Sequence, residues 1–535
     1  MSSRPSVGVV VVGLLIGAAA FLGLNPDTLG LFHDDGIYAV VAKSLAEGNG
    51  YRILSLPGEP AQTKYPFLYS FLLSGIWKLF PRFPQNILVL KTFNVGVIEA
   101  IFFSSVIYYR RSLSDAGIGA ALFGIVVCAN PIIFTFTDYA LSDLLSVLLT
   151  VMMLTLCSGD SSGQSRYRHP MMLGAVASLG CLTRMAAAPL LIAGGVYAFS
   201  TRGVRGLLWF GGGALFFLSP WFYWVAVSRH PSVNPLFDYY FAYDFLGGKT
   251  AGIGSAIARH LTVIIGNTNY VLDTFELLYL TPLLPGLVFL IAAVTILGMV
   301  ESIRLEESFA WSFFIASIAL LLVWPFQPGR YAAPLIPLVV LFLFRGVQVL
   351  QRWLEKKPRP GSAPARSLAK LAWLPLIAIL SLDGVWLSAY LLIRDPNTTR
   401  GFYGNRLPYS WPGFQETFAW IRDHTEPDAL LATAYDPMYF LYTNRKAIRP
   451  AFHRPASYFY PYGAASPDVG AAEEIKSQLV KLRVAYLIID PLDGYAEGKA
   501  TLRLFDDLVR SFGEKAQLVF TSSDGKHRIY ALITD

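Results

Sequence analysis

The chain of 535 residues alternates long apolar stretches with short polar connections until about residue 394, where the pattern changes. A bilayer core about 30 Å thick needs roughly 20 apolar helical residues for each crossing. A helix also satisfies its own backbone polar groups in lipid. The apolar stretches therefore predict membrane helices, which we place at residues 6–24, 87–109, 115–134, 137–157, 171–184, 186–200, 205–227, 281–300, 308–325, 331–350 and 372–393. These eleven stretches predict an all-α polytopic membrane domain over residues 1–394.

Three parts of this pattern need separate treatment. Residues 6–24 lack a small-residue cleavage site and lead directly into an acidic loop, so we expect a retained helix and not a removed signal peptide. Residues 66–80 are apolar enough to cross, but one more crossing would move a basic cluster to the other side of the membrane. We therefore expect them to form a re-entrant or surface-lying helix. The spans 171–184 and 186–200 are short, which leaves a tight re-entrant turn around Arg184 open.

The last 140 or so residues have the mixed pattern of a small extramembrane α/β domain, which we assign to residues 395–535. Helical periodicity occurs at residues 415–424, 471–483 and 501–512. Strands are predicted at residues 429–434, 484–490, 517–521 and 528–533. The pair Asp524-Gly525 between the last two strands indicates a hairpin turn. The domain sequence has no Gly-rich phosphate loop and no nucleophile elbow, so we expect it to act as a lid or an acceptor-docking platform.

Composition and charge support the membrane assignment and give its orientation. Hydrophobic residues make up 54% of the chain and charged residues 15%, and the mean hydropathy is +0.47. The net charge of +7 comes with basic clusters between the predicted helices, at Arg110-Arg111, Arg166–Arg168, Arg202–Arg205 and Arg345–Lys370. This is the positive-inside pattern, so nucleic acid is not expected as a partner. Cys128, Cys157 and Cys181 lie in or at the ends of apolar stretches and form no disulfide framework or metal spacing.

With the N-terminus inside, the polar loops that carry candidate chemistry fall on the outer side. These are a first outer loop at residues 25–86, a second large loop at 228–280, residues 327–330 and the C-terminal domain. The first outer loop is the candidate catalytic loop because it contains Asp34 and Asp35.

Asp34 and Asp35 directly precede a helical run that has an apolar face, which predicts an amphipathic helix on the membrane surface. One aspartate suffices to cap a helix. A second adjacent carboxylate adds repulsion near low-dielectric lipid, where unpaired charge is costly. We therefore expect a catalytic role, in which one carboxylate is a general base and its neighbour orients it or binds a partner.

Further charged residues are predicted on the same side. Asp138 and Asp143 form a second acidic pair at the outer start of a crossing, where helix capping and function stay equally open. Arg184 interrupts an apolar run, where it can snorkel or bind a lipid phosphate. Arg330 starts a helix, where the helix dipole disfavours a cation unless an anion lies nearby. Together with Lys64 these arginines offer three cations, which suit an anionic leaving group such as phosphate.

These elements, taken in order, resemble the polyprenyl-phosphate-sugar-dependent glycosyltransferases of the GT-C superfamily. The similar branch contains the lipid A aminoarabinose transferases and the protein O-mannosyltransferases. The matching motifs cover nearly all of the membrane part and are Asp34-Asp35-Gly-Ile-Tyr38 for Asp-Glu-x-x-Tyr, Lys64-Tyr-Pro66 for Lys-Pro-Pro, Asp143 for the membrane Asp, Leu182-Thr-Arg184 for Thr-Lys-Gly, and Arg330-Tyr-x-x-Pro334-x-x-Pro337 for the late Arg-Tyr-Pro element. The departures are Asp35 for Glu, Tyr65 for the first Pro and Arg184 for Lys.

The resemblance implies an inverting sugar transfer at the outer face of a bacterial inner membrane by a multi-pass protein. Its expected partners are a polyprenyl-phosphate sugar donor, a lipid, glycan or protein acceptor, and membrane lipids. The implied catalytic residues are Asp34 and Asp35. Binding of the donor phosphate is implied for Lys64, Arg184, Arg330 and Tyr331. A role in substrate binding or structure is implied for Tyr38, Asp138 and Asp143.

The sequence also bears on a metal site and on other functions. The aminoarabinose transferases carry a Glu before the Lys that contributes to a zinc site, and here that position is Thr63. We therefore assign no metal ligand, while a divalent metal stays open. An oligosaccharide ligase or a phospholipid-modifying transferase is the alternative function. A transporter would place its ionisable residues at mid-bilayer on broken helices with repeat symmetry, and a non-catalytic receptor or assembly protein would not need convergent acids and cations.

The orientation can be tested with single cysteines in a background without the native ones. A cysteine in place of Ser362, inside the densest basic cluster, should be shielded from a membrane-impermeant thiol reagent in intact cells. A cysteine in place of Ser466 should be labelled. Labelling at position 362 would contradict the orientation inferred from the basic clusters. It would also reopen the alternative that residues 66–80 cross the membrane.

Overall fold

A computed structural model of the chain describes residues 7–113, 117–158, 168–228, 234–241, 261, 264–265, 267–268, 285–324, 329–355, 411–450, 472–491 and 499–533. Helices dominate the part before residue 356. They are α1 (Val7–Leu22), α2 (Asp34–Ala46), α3 (Leu68–Leu79), α4 (Ile87–Ser112), α5 (Gly117–Cys128), α6 (Pro131–Thr135), α7 (Asp143–Cys157), α8 (Arg168–Thr183), α9 (Pro189–Ser228), α10 (Asp238–Phe241), α11 (Pro285–Arg304), α12 (Ser308–Val323) and α13 (Ile336–Glu355). Short 3-10 turns lie at Phe136–Asp138, Met185–Ala187, Pro235–Phe237 and Gly329–Leu335.

Most predicted membrane spans coincide with helices, but the number of crossings stays a prediction. By length and composition, three helical ranges of the described residues are able to cross a bilayer, namely Ile87–Ser112, Met185–Ser228 and Arg330–Trp353. The helices Ile118–Cys128 and Pro131–Asp138 pass the same test together but bend by 62°. The predicted span at residues 372–393 lies outside the described residues.

The long range that ends at Ser228 contains two helices joined at a glycine. Within α9, Gly203 has φ 59° and ψ −154°, a non-helical conformation that glycine adopts without a steric penalty. The break falls between Arg202 and Arg205, at the basic connection that separates the predicted spans 186–200 and 205–227. The two predicted spans are therefore both present as helices.

The two helices of the first loop, residues 25–86, differ from the expectation in one respect. The sequence predicts α2 on the membrane surface with one apolar face, but the structure buries every residue from Asp35 to Ala42. The expectation of a single buried face was wrong, because α3 and the C-terminal part of the chain both pack against α2. The position of α2 at the membrane surface stays a prediction. With 12 residues, α3 would span only about 18 Å, so it is too short to cross a bilayer core.

The C-terminal part, which we define as the described residues from 411 to 533, is a small α/β unit. Its elements are α14 (Trp411–His424), β1 (Leu431–Ala432), α15 (Asp436–Thr443), β2 (Ala447–Ile448), α16 (Ala472–Lys481), β3 (Tyr486–Ile489), α17 (Lys499–Phe512), β4 (Ala516–Thr521) and β5 (Arg528–Leu532). The sheet order is β2-β1-β3-β5-β4. Strand β1 is parallel to β2 and β3, whereas β5 is antiparallel to β3 and β4. The three predicted helices, four predicted strands and the hairpin turn are confirmed, while α15 and the two-residue β2 were not predicted.

Helix α15 docks directly on the first loop. A Cβ at Gly36 would lie 2.8 Å from the Cβ of Pro437, and one at Gly30 would lie 2.7 Å from the Cβ of Met438. The backbone N–H of Ala447 in β2 donates to the carbonyl of Ser55 at 2.9 Å. The backbones of the two parts therefore approach closely enough that side chains are excluded at the contact.

This close approach predicts the sign of a substitution. Gly36 lies in α2, where alanine would favour the helix by about 1 kcal/mol. The added methyl would meet Pro437 and would lie 3.2 Å from the Cα of Gly30. Overpacking of this kind typically destabilises a protein by about 1–3 kcal/mol. We therefore expect Gly36→Ala to lower the thermal unfolding midpoint. The control is Gly75→Ala in α3, where a Cβ meets nothing within 4 Å and no loss is expected. A stabilised Gly36→Ala protein would contradict the docking of α15.

Candidate active site

The two adjacent aspartates at the start of α2 have different surroundings. Asp35 is buried and turns its carboxylate into its own loop, where Oδ2 accepts the N–H of Gly30 at 2.9 Å. Its Oδ1 accepts the N–H groups of Phe32 at 2.9 Å and of Gly36 at 3.0 Å. Burial raises the pKa of the Asp35 carboxyl, although these hydrogen bonds oppose the rise. Asp35 thus folds the turn that precedes α2.

Asp34 points away from that loop and binds side chains from two distant motifs. Its Oδ1 accepts a hydrogen bond from the Tyr65 hydroxyl at 2.6 Å. Its Oδ2 lies 2.7 Å from Nη2 of Arg330. Burial raises the pKa of Asp34, but the charge of Arg330 and the hydrogen bond from Tyr65 outweigh it, so the pKa lies below the ordinary value. Asp34 is therefore ionised and presented by the first loop.

Two arginines converge on Asp143, the first residue of α7. Arg184 follows the C-terminal end of α8, and its Nη1 bonds to Oδ1 of Asp143. Arg330, in the 3-10 turn before α13, places its Nε 3.6 Å from the same oxygen. The side chains of Asp143, Arg184 and Arg330 are 0%, 7% and 11% exposed. Asp34, Asp143, Arg184 and Arg330 therefore form one largely buried ionic group, which we call the charge cluster.

Aromatic rings line the arginines of the charge cluster. The guanidinium carbon of Arg184 lies 4.7 Å from the ring centre of Tyr331. That of Arg330 lies 5.3 Å from Tyr331 and 5.0 Å from Phe32. Such cation–π contacts orient a guanidinium without consuming its N–H donors. The predicted residue Tyr331 therefore lies beside both arginines.

Tyr38 joins α2 to the start of α7. Its hydroxyl is 2.9 Å from Oγ of Ser142, the residue before Asp143. Its ring packs edge-on against Tyr65 and Tyr69, with ring centres 5.4 and 5.1 Å apart. Tyr38 thus holds Tyr65, the partner of Asp34, and the start of α7 in register.

Asp138 has its own partners, separate from the arginines of the charge cluster. Its Oδ1 lies 3.0 Å from Nζ of Lys91 and accepts the N–H of Asn25 at 2.6 Å. Lys91 also donates to the carbonyl of Asn25 at 2.8 Å. Asp138 therefore anchors the start of the first loop on α4. Lys91 was not among the predicted site residues, although a lysine within an apolar helix is a usable signal.

Lys64 lies near Asp34 and is buried. Its Nζ is 5.6 Å from the ring centre of Tyr65. Its pKa is lowered to about 7, mainly by burial; the charge of Asp34 opposes this shift, and the charge of Arg449 in the C-terminal part contributes to it. Lys64 therefore titrates near neutral pH. Arg449 was not predicted, because nothing in its local sequence links it to the first loop.

A shared carboxylate connects three segments next to Asp34. Oδ1 of Asp436, in α15, lies 3.0 Å from Nε2 of His33 and accepts the Tyr240 hydroxyl at 2.7 Å. His33 precedes Asp34 and has φ 60°, a conformation that few non-glycine residues adopt. The C-terminal part therefore helps to hold the backbone from which Asp34 projects.

The residue set at this site does not fit the zinc site that the resemblance suggests. Thr63 presents a hydroxyl, not a carboxylate, and donates to the carbonyl of Phe241 at 3.1 Å. Within the described residues there is no group of three or more His, Cys, Asp or Glu side chains that could hold a metal ion. We derive no step through a metal.

Comparison with known proteins gives the fold. No protein-family model matches the chain, and no curated protein matches it. The crystal structure of ArnT from Cupriavidus metallidurans bound to undecaprenyl phosphate has a TM-score of 0.59 and 16% identity, covering 99% of this chain and 98% of that one. The Archaeoglobus fulgidus oligosaccharyltransferase in complex with Zn and sulfate has a TM-score of 0.54 and 13% identity, covering 97% and 73%. Both are members of the GT-C superfamily, so the similarity in fold agrees with the resemblance of the motifs.

Proposed function

We propose, from the GT-C fold of the chain and the geometry of the charge cluster, that this protein is a membrane glycosyltransferase. It moves a sugar from a polyprenyl-phosphate donor to an envelope acceptor, which is a lipid, a glycan or a protein, with inversion at the sugar carbon. The observation that carries the proposal is Asp34, a carboxylate held between the Tyr65 hydroxyl and Arg330. A proton acceptor beside phosphate-binding cations is what such a transfer needs.

The chemistry can be assigned to atoms. An acceptor hydroxyl gives its proton to a carboxylate oxygen of Asp34 as its oxygen bonds to the anomeric carbon of the sugar. The bond from that carbon to the phosphate oxygen breaks, and its electron pair stays on the phosphate. The leaving phosphate is a stable anion, so cations replace the general acid that a poorer leaving group would require. Attack from the face opposite the phosphate inverts the configuration.

The remaining predicted residues divide by their contacts. Arg184, Arg330 and Lys64 are proposed to hold the donor phosphate, with Tyr331 lining the two arginines. Asp35 folds the loop and Tyr38 positions Tyr65, so we assign the base to Asp34 alone among the two adjacent aspartates.

The proposed orientation places the charge cluster and the C-terminal part outside a bacterial inner membrane. It is supported by the basic clusters, which all fall on one side of the predicted helices. A second candidate function is transfer of a whole oligosaccharide, which the fold likeness to an oligosaccharyltransferase supports. Mass spectrometry of envelope lipids and glycans from cells with and without the gene distinguishes the two, because the product masses differ.

Loss of the base should abolish most turnover. We expect Asp34→Asn to lower the rate of product formation by roughly 10²-fold or more, since an amide cannot accept the acceptor proton at neutral pH. The measurement is the product rate of the purified variant in the assay that mass spectrometry establishes. Glu59→Gln, which removes an exposed first-loop carboxylate paired with Lys446, is the matched control and should retain activity. A rate for Asp34→Asn within a few-fold of the wild type would remove Asp34 from the mechanism.

The pKa of Lys64 predicts a pH dependence of donor binding. The protonated amine attracts a phosphate, so its contribution to affinity is present below a pH of about 7 and is lost above it. Lys64→Arg keeps its charge at all these pH values. We expect the Kd for undecaprenyl phosphate of the wild type, divided by that of Lys64→Arg, to rise several-fold from about pH 6 to about pH 8. Titration of the phosphate cancels in this ratio, and a flat ratio would contradict the role of Lys64.

A further inference from the structure

The charge cluster is already neutral before any donor enters. It contains the carboxylates of Asp34 and Asp143 and the guanidinium groups of Arg184 and Arg330, all with side chains no more than 15% exposed. The charges of both arginines are therefore already neutralised by carboxylates. An incoming phosphate that binds either arginine must therefore compete with one of these carboxylates, because adding a further anion to a buried and already neutral ionic group is costly.

The two carboxylates differ in how firmly they are held. Asp143 is fully buried, bonds to Arg184 and lies 3.6 Å from Arg330. The Asp34 side chain is 15% exposed and has a second partner in the Tyr65 hydroxyl at 2.6 Å. Asp34 can therefore leave Arg330 and still keep a hydrogen bond, whereas Asp143 cannot leave without exposing two guanidinium groups to each other. Of the two carboxylates, Asp34 is therefore the one more easily displaced from Arg330.

We propose that Arg330 exchanges partners during the reaction: it binds Asp34 in the ligand-free protein and the donor phosphate when the donor is bound. This inference rests on the proposed function. It makes the donor phosphate the signal that releases the base, because Asp34 paired with Arg330 is a weaker proton acceptor than Asp34 released from it. Binding of the donor therefore precedes deprotonation of the acceptor.

The exchange also keeps the charge of the site constant through the transfer. As the acceptor proton bonds to Asp34, that carboxylate becomes neutral. At the same time the leaving phosphate receives the electron pair of the broken carbon–oxygen bond and gains one negative charge. Arg330 ends the step beside the group that carries the new charge. Electrostatic stabilisation is thus directed at the atoms where charge develops.

The test is a binding measurement that needs no turnover, with undecaprenyl phosphate as the probe and the full-length protein in detergent. We expect Asp34→Asn and Asp34→Ala to bind the probe about tenfold more tightly than the wild type, since the competing carboxylate is gone. The gain should vanish when either variant is combined with Arg330→Gln. Glu59→Gln, which removes the same charge from an exposed position of the same loop, should bind like the wild type.

Each contrary outcome has a separate meaning. If the wild type binds the probe and both Asp34 variants bind it equally or more weakly, the exchange is wrong and the proposed function stands. An equal gain in the Arg330→Gln background, or in Glu59→Gln, also overturns the exchange, because the effect would then be one of net charge. If the wild type binds no undecaprenyl phosphate, the proposed function fails and the exchange fails with it.

A second measurement uses the wild-type protein, so its main result does not require a variant to fold. Infrared difference spectra recorded on adding undecaprenyl phosphate should show a change in a carboxylate stretching band as Asp34 leaves Arg330. Selective isotope labelling of aspartate assigns the band, and the band change should be absent from Asp34→Asn. A wild-type spectrum with bound probe and no change in the aspartate carboxylates would overturn the exchange.

Discussion

Ionised side chains buried in one site must neutralise one another, and this requirement fixes the geometry around Asp143. Removing one partner of a buried pair typically costs about 3–5 kcal/mol, because the other charge stays unpaired. Asp143 begins α7, Arg184 follows α8, and Arg330 precedes α13. These helix ends must therefore meet, and with them the first loop, which supplies Asp34. The site and the packing of the helix ends consequently depend on the same ion pairs.

The C-terminal part contributes a wall of this site and not only a cover. Asp436 binds both His33 and Tyr240, so it fixes the residue before Asp34 and a segment of the second loop with one carboxylate. The Tyr442 hydroxyl accepts the N–H of Leu29 at 3.1 Å, which adds a contact to the same turn. Close backbone packing at Gly36 makes the arrangement intolerant of displacement. The lid or acceptor-docking role expected from the sequence stays a prediction, and the contacts of α15 show that this part also supports the turn before Asp34.

Local patterns could predict most elements, but not the partners of the charged residues. Apolar stretches mark the helices because each helix is satisfied by its own backbone, and short apolar runs next to turn residues mark β3, β4 and β5. Helix α15 and β2 are too short for periodicity to identify. Charge distribution and motif order also predicted that Asp34, Arg184 and Arg330 lie on the same side of the membrane. It could not show that Asp138 pairs with Lys91, because such pairs form between segments whose spacing carries no local signal.

The adjacent aspartates illustrate why a doublet of carboxylates need not share one task. Successive residues of a helix point about 100° apart, so Asp34 and Asp35 cannot face the same group. Asp35 disperses its charge over three backbone N–H groups of the turn. That contact lowers the repulsion expected from two neighbouring charges and also sets the direction of Asp34. Asp34 is therefore available for side-chain partners, because Asp35 accepts the backbone hydrogen bonds of the turn. A single aspartate in this loop could either fold the turn or reach Arg330, but it could not do both.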